Sequence, residues 1–230
     1  MSLPKPYYED EEHGIVIYNA DCRDILPHLP KVDLVLTDPP YGIDYNPTFK
    51  KWNGDKSSHK KIHGDNHPFD PSFLVALGGD QVIWGGDYWH NILPLGGWFV
   101  WDKRCSEKAD KMFGLPIEMA WTTRPGRAII RLLHGGLVND DSLSGLADPR
   151  HHPTQKPVRL MSWCLSFFPE AKTVLDPFMG SGTTLVAAKN LGLKAIGIEI
   201  EERYCEIAAR RLSQGMLFGQ DELAQIGGGK

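Results

Sequence analysis

Val32-Asp33-Leu34-Val35-Leu36-Thr37-Asp38-Pro39-Pro40-Tyr41 is the stretch on which the reading of this chain turns. An apolar run of this length, ended by a proline pair, reads as a buried strand that stops abruptly. Each proline fixes its own φ, lacks an N–H and restricts the residue before it. The result is a stiff, extended turn at the C-terminal end of a strand. In open α/β sheets ligands sit outside that edge. Asp38, the Pro39 carbonyl and the Tyr41 ring together suit a planar heterocycle with an exocyclic amine: two acceptors for its N–H groups and a ring for its face. An ordinary strand-to-loop turn with a capping aspartate fits the same four residues, so the rest of the chain must decide.

Working outward, Gly14 to Ala20 is β-branched and reads as a strand, followed by Asp21 and a short helix from Cys22 that ends at Pro27. Strand, short helix and strand make a βαβ unit, which implies a parallel sheet. Residues 1–13, proline-rich and then acidic, read as a loosely held arm. Downstream, strands are expected over Gln81–Gly86, Gly97–Asp102, Ile117–Thr122 and Ala128–Leu133, with short helices over Asp70–Leu77 and Tyr88–Leu93. The Ile117–Thr122 stretch alternates in polarity, which predicts a half-buried, antiparallel addition to the sheet. Val158–Phe168 carries a helical apolar face at Leu160, Met161, Cys164, Leu165 and Phe168.

A second informative stretch is Thr173-Val174-Leu175-Asp176-Pro177-Phe178-Met179-Gly180-Ser181-Gly182-Thr183-Thr184. It reads as a strand, a tight glycine-rich turn and a helix that Gly192 stops. Neither the G-x-G-x-x-G fingerprint nor a phosphate loop is present. Asp176 ends this strand and Glu199 ends the next, Lys194–Ile200, where a carboxylate can accept hydrogen bonds from ribose hydroxyls. The half-site therefore wants a nucleoside and carries no charge dedicated to a diphosphate. Asp176 suits an ammonium and the Thr154-Gln155-Lys156 segment a carboxylate. A nucleoside with an amino-acid tail and no phosphates is S-adenosylmethionine. Helix capping and surface charge are the plain alternative for Asp176 and Glu199. The chain closes with a helix over Glu202–Ser213.

The bulk numbers bound the rest. Length 230 suits one domain, 41% hydrophobic and 23% charged residues are ordinary for a globular protein, and the net charge of −4 counts mildly against a nucleic-acid binder. Local charge matters more than the sum. Lys50, Lys51, Lys56, Lys60 and Lys61 fall with His59, His63 and His67 in a polar loop over 42–70. Histidines every four residues would suit a metal on a helix, but Gly64 and Pro68 speak against one, so no metal is expected. Four scattered cysteines argue for a reducing cytosol, and no apolar run is long enough to span a bilayer.

Asp38-Pro39-Pro40-Tyr41, with Asp176 to Thr184 after it, resembles the amino-methylating DNA methyltransferases, and the order of the motifs resembles their permuted β class. His152 to Pro157, Gly197 to Ile200 and Tyr204 to Ala208 resemble further segments of that class, and so do Val82 to Tyr88 and Trp98 to Lys103. The resemblance covers about residues 14–135 and 151–218. It implies an α/β, Rossmann-like methyltransferase fold, a mixed seven-stranded sheet with one antiparallel strand and helices on both faces, in a single domain over 1–230. It implies S-adenosylmethionine as cofactor. Asp176, Phe178, Gly180, Ser181, Gly182, Thr183 and Glu199 would line its pocket, Asp21 would receive its adenine amine, and Thr154 and Lys156 would meet its methionine tail.

The implied reaction is methyl transfer to the exocyclic N6 of adenine in double-stranded DNA after base flipping. Asp38, Pro39, Pro40 and Tyr41 would be the catalytic residues, because in this family an opening Asp usually accompanies adenine and a Ser cytosine. Transfer to the N4 of cytosine, methylation of RNA or another amine, and a non-catalytic nucleic-acid-binding relic remain alternatives. The chain departs from the family in lacking a sizeable recognition domain: only about 125–150 is free for one. Recognition would then fall to the 42–70 loop, with Lys50, Lys51, Lys60 and Lys61, and to Arg124, Arg127 and Arg131; a solvated face accounts for these arginines equally well. A homodimer and a restriction endonuclease are partners compatible with the family, and a bacterial or phage-encoded cytoplasmic protein is expected.

Overall fold

In a computed structural model the structure describes residues 3–44, 63–104, 117–132 and 155–213. Their strands are β1 (Tyr8–Asp10), β2 (Ile15–Asn19), β3 (Leu34–Thr37), β4 (Asp80–Trp84), β5 (Gly97–Asp102), β6 (Ile117–Thr122), β7 (Arg127–Arg131), β8 (Thr173–Asp176) and β9 (Lys194–Glu199). They form one sheet in the order β1-β2-β9-β8-β3-β4-β6-β5-β7. The sheet thus has nine strands where the sequence reading expects seven. One of the additions is β1, in the segment read as a loose arm, which pairs antiparallel with β2 through Tyr8↔Ile17, Glu9↔Val16 and Asp10↔Ile15. The arm is held by backbone pairing, and by Lys189, whose Nζ donates to Asp10 Oδ2 at 2.9 Å.

Pairing is parallel from β2 through β9, β8 and β3 to β4. β6 runs antiparallel to both β4 and β5, and β7 is parallel to β5. The C-terminal ends of β2, β3, β4, β5, β7, β8 and β9 therefore share one edge, and β6 presents its N-terminal end there.

The helices are α1 (Cys22–Ile25), α2 (Ser72–Val75), α3 (Val158–Ser166), α4 (Thr183–Asn190) and α5 (Glu202–Ser213), with 3-10 turns at Leu26–His28 and Gly86–Trp89. The strand alternation sorts the core into two layers. Ile15, Ile17, Leu34, Leu36, Val82, Trp84, Val174 and Ala195 pack on the face covered by α3, α4 and α5. Tyr18, Val35, Leu175 and Ile198 face the side of α1 and its 3-10 turn. Both faces are covered, which is why the central strands read as unbroken apolar runs. No helix among the described residues is long and apolar enough to cross a membrane.

Candidate active site

β3 and β8 are neighbours in the sheet, although 139 residues separate Thr37 from Asp176. Their ends are tied directly: Thr37 Oγ1 donates to Asp176 Oδ1 at 2.7 Å. The two motifs picked out in the sequence therefore open side by side on the carboxyl edge.

Asp176 shapes the turn that follows it, accepting the Phe178 N–H at 3.1 Å. Burial pushes its carboxyl up to about 6, against the hydrogen bonds from Thr184, Thr37 and Phe178. Glu199 spans the same turn from β9. Its Oε2 accepts the Gly180 N–H at 3.0 Å and its Oε1 the Glu201 N–H at 2.8 Å. Burial outweighs these bonds and pushes Glu199 up to about 7. Among the described residues neither carboxylate forms an ion pair. A buried and a half-buried carboxylate with spare lone pairs beside a glycine turn fit a ligand rich in hydroxyl and ammonium donors. The nucleoside and amino-acid ends of S-adenosylmethionine are such donors.

The turn itself depends on Gly182, which caps α4 at φ +79 and stands where a Cβ would lie 2.7 Å from that of Ala208. Ser181 and Thr183 are buried and turned to helix packing: Arg211 Nη1 donates to the Ser181 carbonyl at 2.7 Å and to both hydroxyls at 3.2 Å. Ser181 Oγ also donates to Gln155 Oε1 at 3.1 Å. Asp21 is the N-cap of α1, accepting the Arg23 N–H at 2.9 Å. Thr154 lies outside the described residues, as do Lys50, Lys51, Lys60, Lys61 and most of the 125–150 insertion.

On the β3 side, Asp38 Oδ1 accepts the Tyr41 hydroxyl at 2.7 Å and Oδ2 the Lys156 ammonium at 2.6 Å. Lys156 is 5% exposed and also reaches Glu118 Oε2 at 2.9 Å and the Tyr41 hydroxyl at 3.1 Å. The sequence reading sends Lys156 to the methionine tail. In the structure its ammonium instead donates to Asp38 and Tyr41 and pairs ionically with Glu118, with the rings of Tyr41 and Trp84 each 5.6 Å away.

Glu118 has a second cation in Lys103. Burial works to raise its pKa, but Lys156 and Lys103 hold it down at about 2. Desolvation works against the Lys156 charge, and the two carboxylates more than offset it, so that its pKa rises. Asp38 is the under-compensated member: burial lifts its carboxyl above the ordinary range, with Lys156 opposing and Glu118 reinforcing.

The Tyr41 ring is fixed from two further sides. It stacks on Tyr88 at 5.0 Å between centroids and meets Trp89 edge-on at 5.9 Å. Its third wall is Gly85, at φ +76, where a Cβ would lie 2.5 Å from Tyr41 Cδ1. Phe178 joins the two half-sites, meeting Phe69 at 5.5 Å and Phe73 at 6.3 Å. Asp65, buried in the returning arm of the 42–70 loop, accepts the Gly42 N–H at 2.9 Å, and its carbonyl accepts the Asp44 N–H at 2.7 Å, so the residues after Tyr41 are clamped. His63 and His67 are exposed there, and no metal cluster occurs among the described residues.

Arg124 and Arg127 are not brought to this site. The register Gly97↔Thr122 and Trp98↔Arg127 sets them at the start of β5 and β7, the sheet edge opposite Asp38. Arg124 lies over the Phe168 ring at 5.0 Å. Arg131 does lie at the active edge, within 3.4 Å of Asp102. Glu118, Lys103 and Gly85 escaped the sequence reading. The signal for Glu118 was the expected reversal of β6, which carries its first residues to the active edge.

Comparison with known proteins shows the family and the fold. The DNA methylase family model for N6 and N4 enzymes matches residues 95–210. YubD of Escherichia coli (strain K12) is 31% identical over 204 residues, covering 84% of this chain and 88% of its own. The type II methyltransferase M2.LlaDCHI of Lactococcus lactis subsp. cremoris is 27% identical over 259 residues, covering 94% and 95%. Among solved structures, the PvuII cytosine-N4-specific DNA methyltransferase superposes with TM-score 0.60 at 18% identity, covering 96% of this chain and 93% of that one. The M1.HpyAVI complex with S-adenosylmethionine superposes at 0.50 and 22% identity, covering 87% and 100%. These two likenesses confirm the methyltransferase fold, and the family match with its relatives does the rest: the chain belongs to the N6/N4 DNA methylase family, whose methyl donor is S-adenosylmethionine.

Proposed function

We propose that this DNA methyltransferase acts on the exocyclic N6 of adenine in double-stranded DNA, with the target base flipped out of the helix. The observation that carries the reading is Asp38 itself, a partly buried carboxylate held just after β3, next to the Asp176–Gly182 turn. An exocyclic amine is a poor nucleophile, because its lone pair is conjugated into the ring. Asp38 and the Pro39 carbonyl accept its two N–H groups, favour a tetrahedral nitrogen and free the lone pair. Positioning and electrostatics then supply the rate, with no covalent enzyme intermediate.

The base cannot be reached inside a duplex, so it is extruded. Tyr41, on its stack with Tyr88, offers the aromatic surface that receives it. S-adenosylmethionine supplies the electrophilic methyl. Glu199 holds the ribose hydroxyls, Asp176 the ammonium, and Phe178 an aromatic face beside the sulfonium. Sequence preference falls to groups near the active edge and to the 42–70 loop.

Asp38→Ala tests the reading. With unmethylated DNA and tritiated cofactor, transfer is expected to vanish while calorimetry still shows cofactor binding; retained transfer sinks the assignment. Digestion of the labelled DNA to nucleosides separates N6-methyladenine from N4-methylcytosine, and parallel assay on RNA excludes or supports that alternative.

A further inference from the structure

We propose that Glu118 is a positioning residue for methyl transfer, which holds the Lys156 ammonium against Asp38 and cancels its charge. Asp38 then keeps its negative face for the target amine. The inference rests on amine methylation as the reaction of this site.

Three observations carry it. Lys156 is buried; its ammonium donates to Asp38 Oδ2 at 2.6 Å and to the Tyr41 hydroxyl at 3.1 Å, and forms an ion pair with Glu118 Oε2 at 2.9 Å. Glu118 arrives from β6, the reversed strand, opposite Asp38, and is itself braced by Lys103 from the end of β5. Both carboxylates grip one ammonium between two aromatic rings, so the contact is fixed by packing as well as by charge.

The electrostatics give the pair a purpose. In transfer the amine lone pair forms the N–C bond, and the C–S bond breaks with its electrons going to sulfur. Positive charge moves from the sulfonium onto the amine nitrogen, and the amine proton then passes to solvent. A lone Lys156 cation would neutralise Asp38 and oppose that charge as it arrives. Glu118 weakens the opposition, because its carboxylate shares the Lys156 ammonium with Asp38, which therefore does not meet the full cation alone. The other titratable groups facing Asp38 are Tyr41 on its own turn and Asp176 from β8, while Asp87 and Tyr88 from the turn after β4 act on Glu118.

The test uses Glu118→Gln, Lys156→Met and the double variant, assayed with tritiated S-adenosylmethionine on plasmid DNA from a methylase-deficient host. Glu118→Gln is expected to lower kcat about tenfold or more, with KM for the cofactor changed by no more than about twofold. Loss of a negative neighbour favours the ionised Asp38, so the acid limb of kcat moves to lower pH. Lys156→Met moves it to higher pH. Lys156→Met leaves two buried carboxylates face to face, which endangers folding. The double variant removes both partners, folds and stays slow.

Titration of the Asp38 carboxyl by 13C NMR in the free protein reads the same opposite shifts without turnover. If the wild type methylates no DNA, the reading of the reaction fails, while this titration still decides whether Glu118 and Lys156 set Asp38. Unmoved limbs and an unmoved titration overturn the inference. A raised cofactor KM at unchanged kcat also overturns it, since Lys156 would then serve the methionine tail.

Discussion

Gly85→Ala is the sharpest perturbation of the Tyr41 platform, because it adds one carbon at a defined place. Gly85 sits at φ +76, and a Cβ there would lie 2.5 Å from Tyr41 Cδ1, 2.9 Å from Cζ and closer still to Cε1. Real contacts of this kind are nearer 3.5–4.0 Å, so the ring must move by about 1 Å or more. It cannot move far in place, with Tyr88 stacked at 5.0 Å and Trp89 edge-on at 5.9 Å. Any movement draws the Tyr41 hydroxyl off Asp38, 2.7 Å away, and off Lys156, 3.1 Å away. Gly78→Ala is the matched control: φ is +67 and nothing lies within 4 Å of its added Cβ. Each substitution costs about 1–2 kcal/mol for the left-handed backbone alone, or a few °C of Tm for a chain of this size. Gly85→Ala is expected to lose ~10–100-fold in kcat beyond that, as for a reacting group misplaced by about 1 Å. The assay is methyl transfer at saturating cofactor, alongside thermal melting of both variants. Full turnover in Gly85→Ala, or equal loss in Gly78→Ala, would refute the claim that Tyr41 must sit where it does.

Tyr41→Phe keeps the ring and drops only the hydroxyl, so its turnover should fall less than that of Tyr41→Ala; equal losses would deny a stacking role. Glu199 makes a pH prediction. Its folded pKa of about 7 exceeds the unfolded value, so the folded state holds a proton that the unfolded chain has lost. Stability of the cofactor-free protein should therefore fall as pH rises from about 4.5 through 7, by up to about 3 kcal/mol from this group. Glu199→Gln should flatten that slope in urea denaturation, and an unchanged slope contradicts the assignment. Arg124→Ala with Arg127→Ala, on the far edge, should leave DNA affinity by fluorescence anisotropy unaltered.

The parallel half of the fold was legible because its central strands are apolar runs buried on both faces, and proline or glycine closes β3, β4 and β8. Those punctuation marks also exposed the site, since carboxylates placed just after such runs, Asp38, Asp176 and Glu199, must fall on one edge. β1 was illegible: Tyr8-Glu9-Asp10 is three residues long and charged, and only its pairing to β2 makes it a strand. Lys156 was identified as a site residue, but its partners were not, because a lysine before a helix gives no sign of which buried carboxylate lies in reach.

The reversal of β6 decides both what was missed and what was misplaced. Reading alternation in Ile117–Thr122 makes Glu118 a solvent-facing residue, and the strand's burial does leave its first residues more open than its last. Yet a strand that runs against its neighbours delivers its beginning to the edge where they end. That brings Glu118 to Lys156 and carries the following turn, with Arg124 and Arg127, to the opposite edge. Followed through, the antiparallel direction expected for Ile117–Thr122 exchanges the arginines for the glutamate. A charge on β6 is placed by direction before it is placed by composition, and β6 brings to the active edge the second counter-charge of Lys156, beside Asp38 from the end of β3.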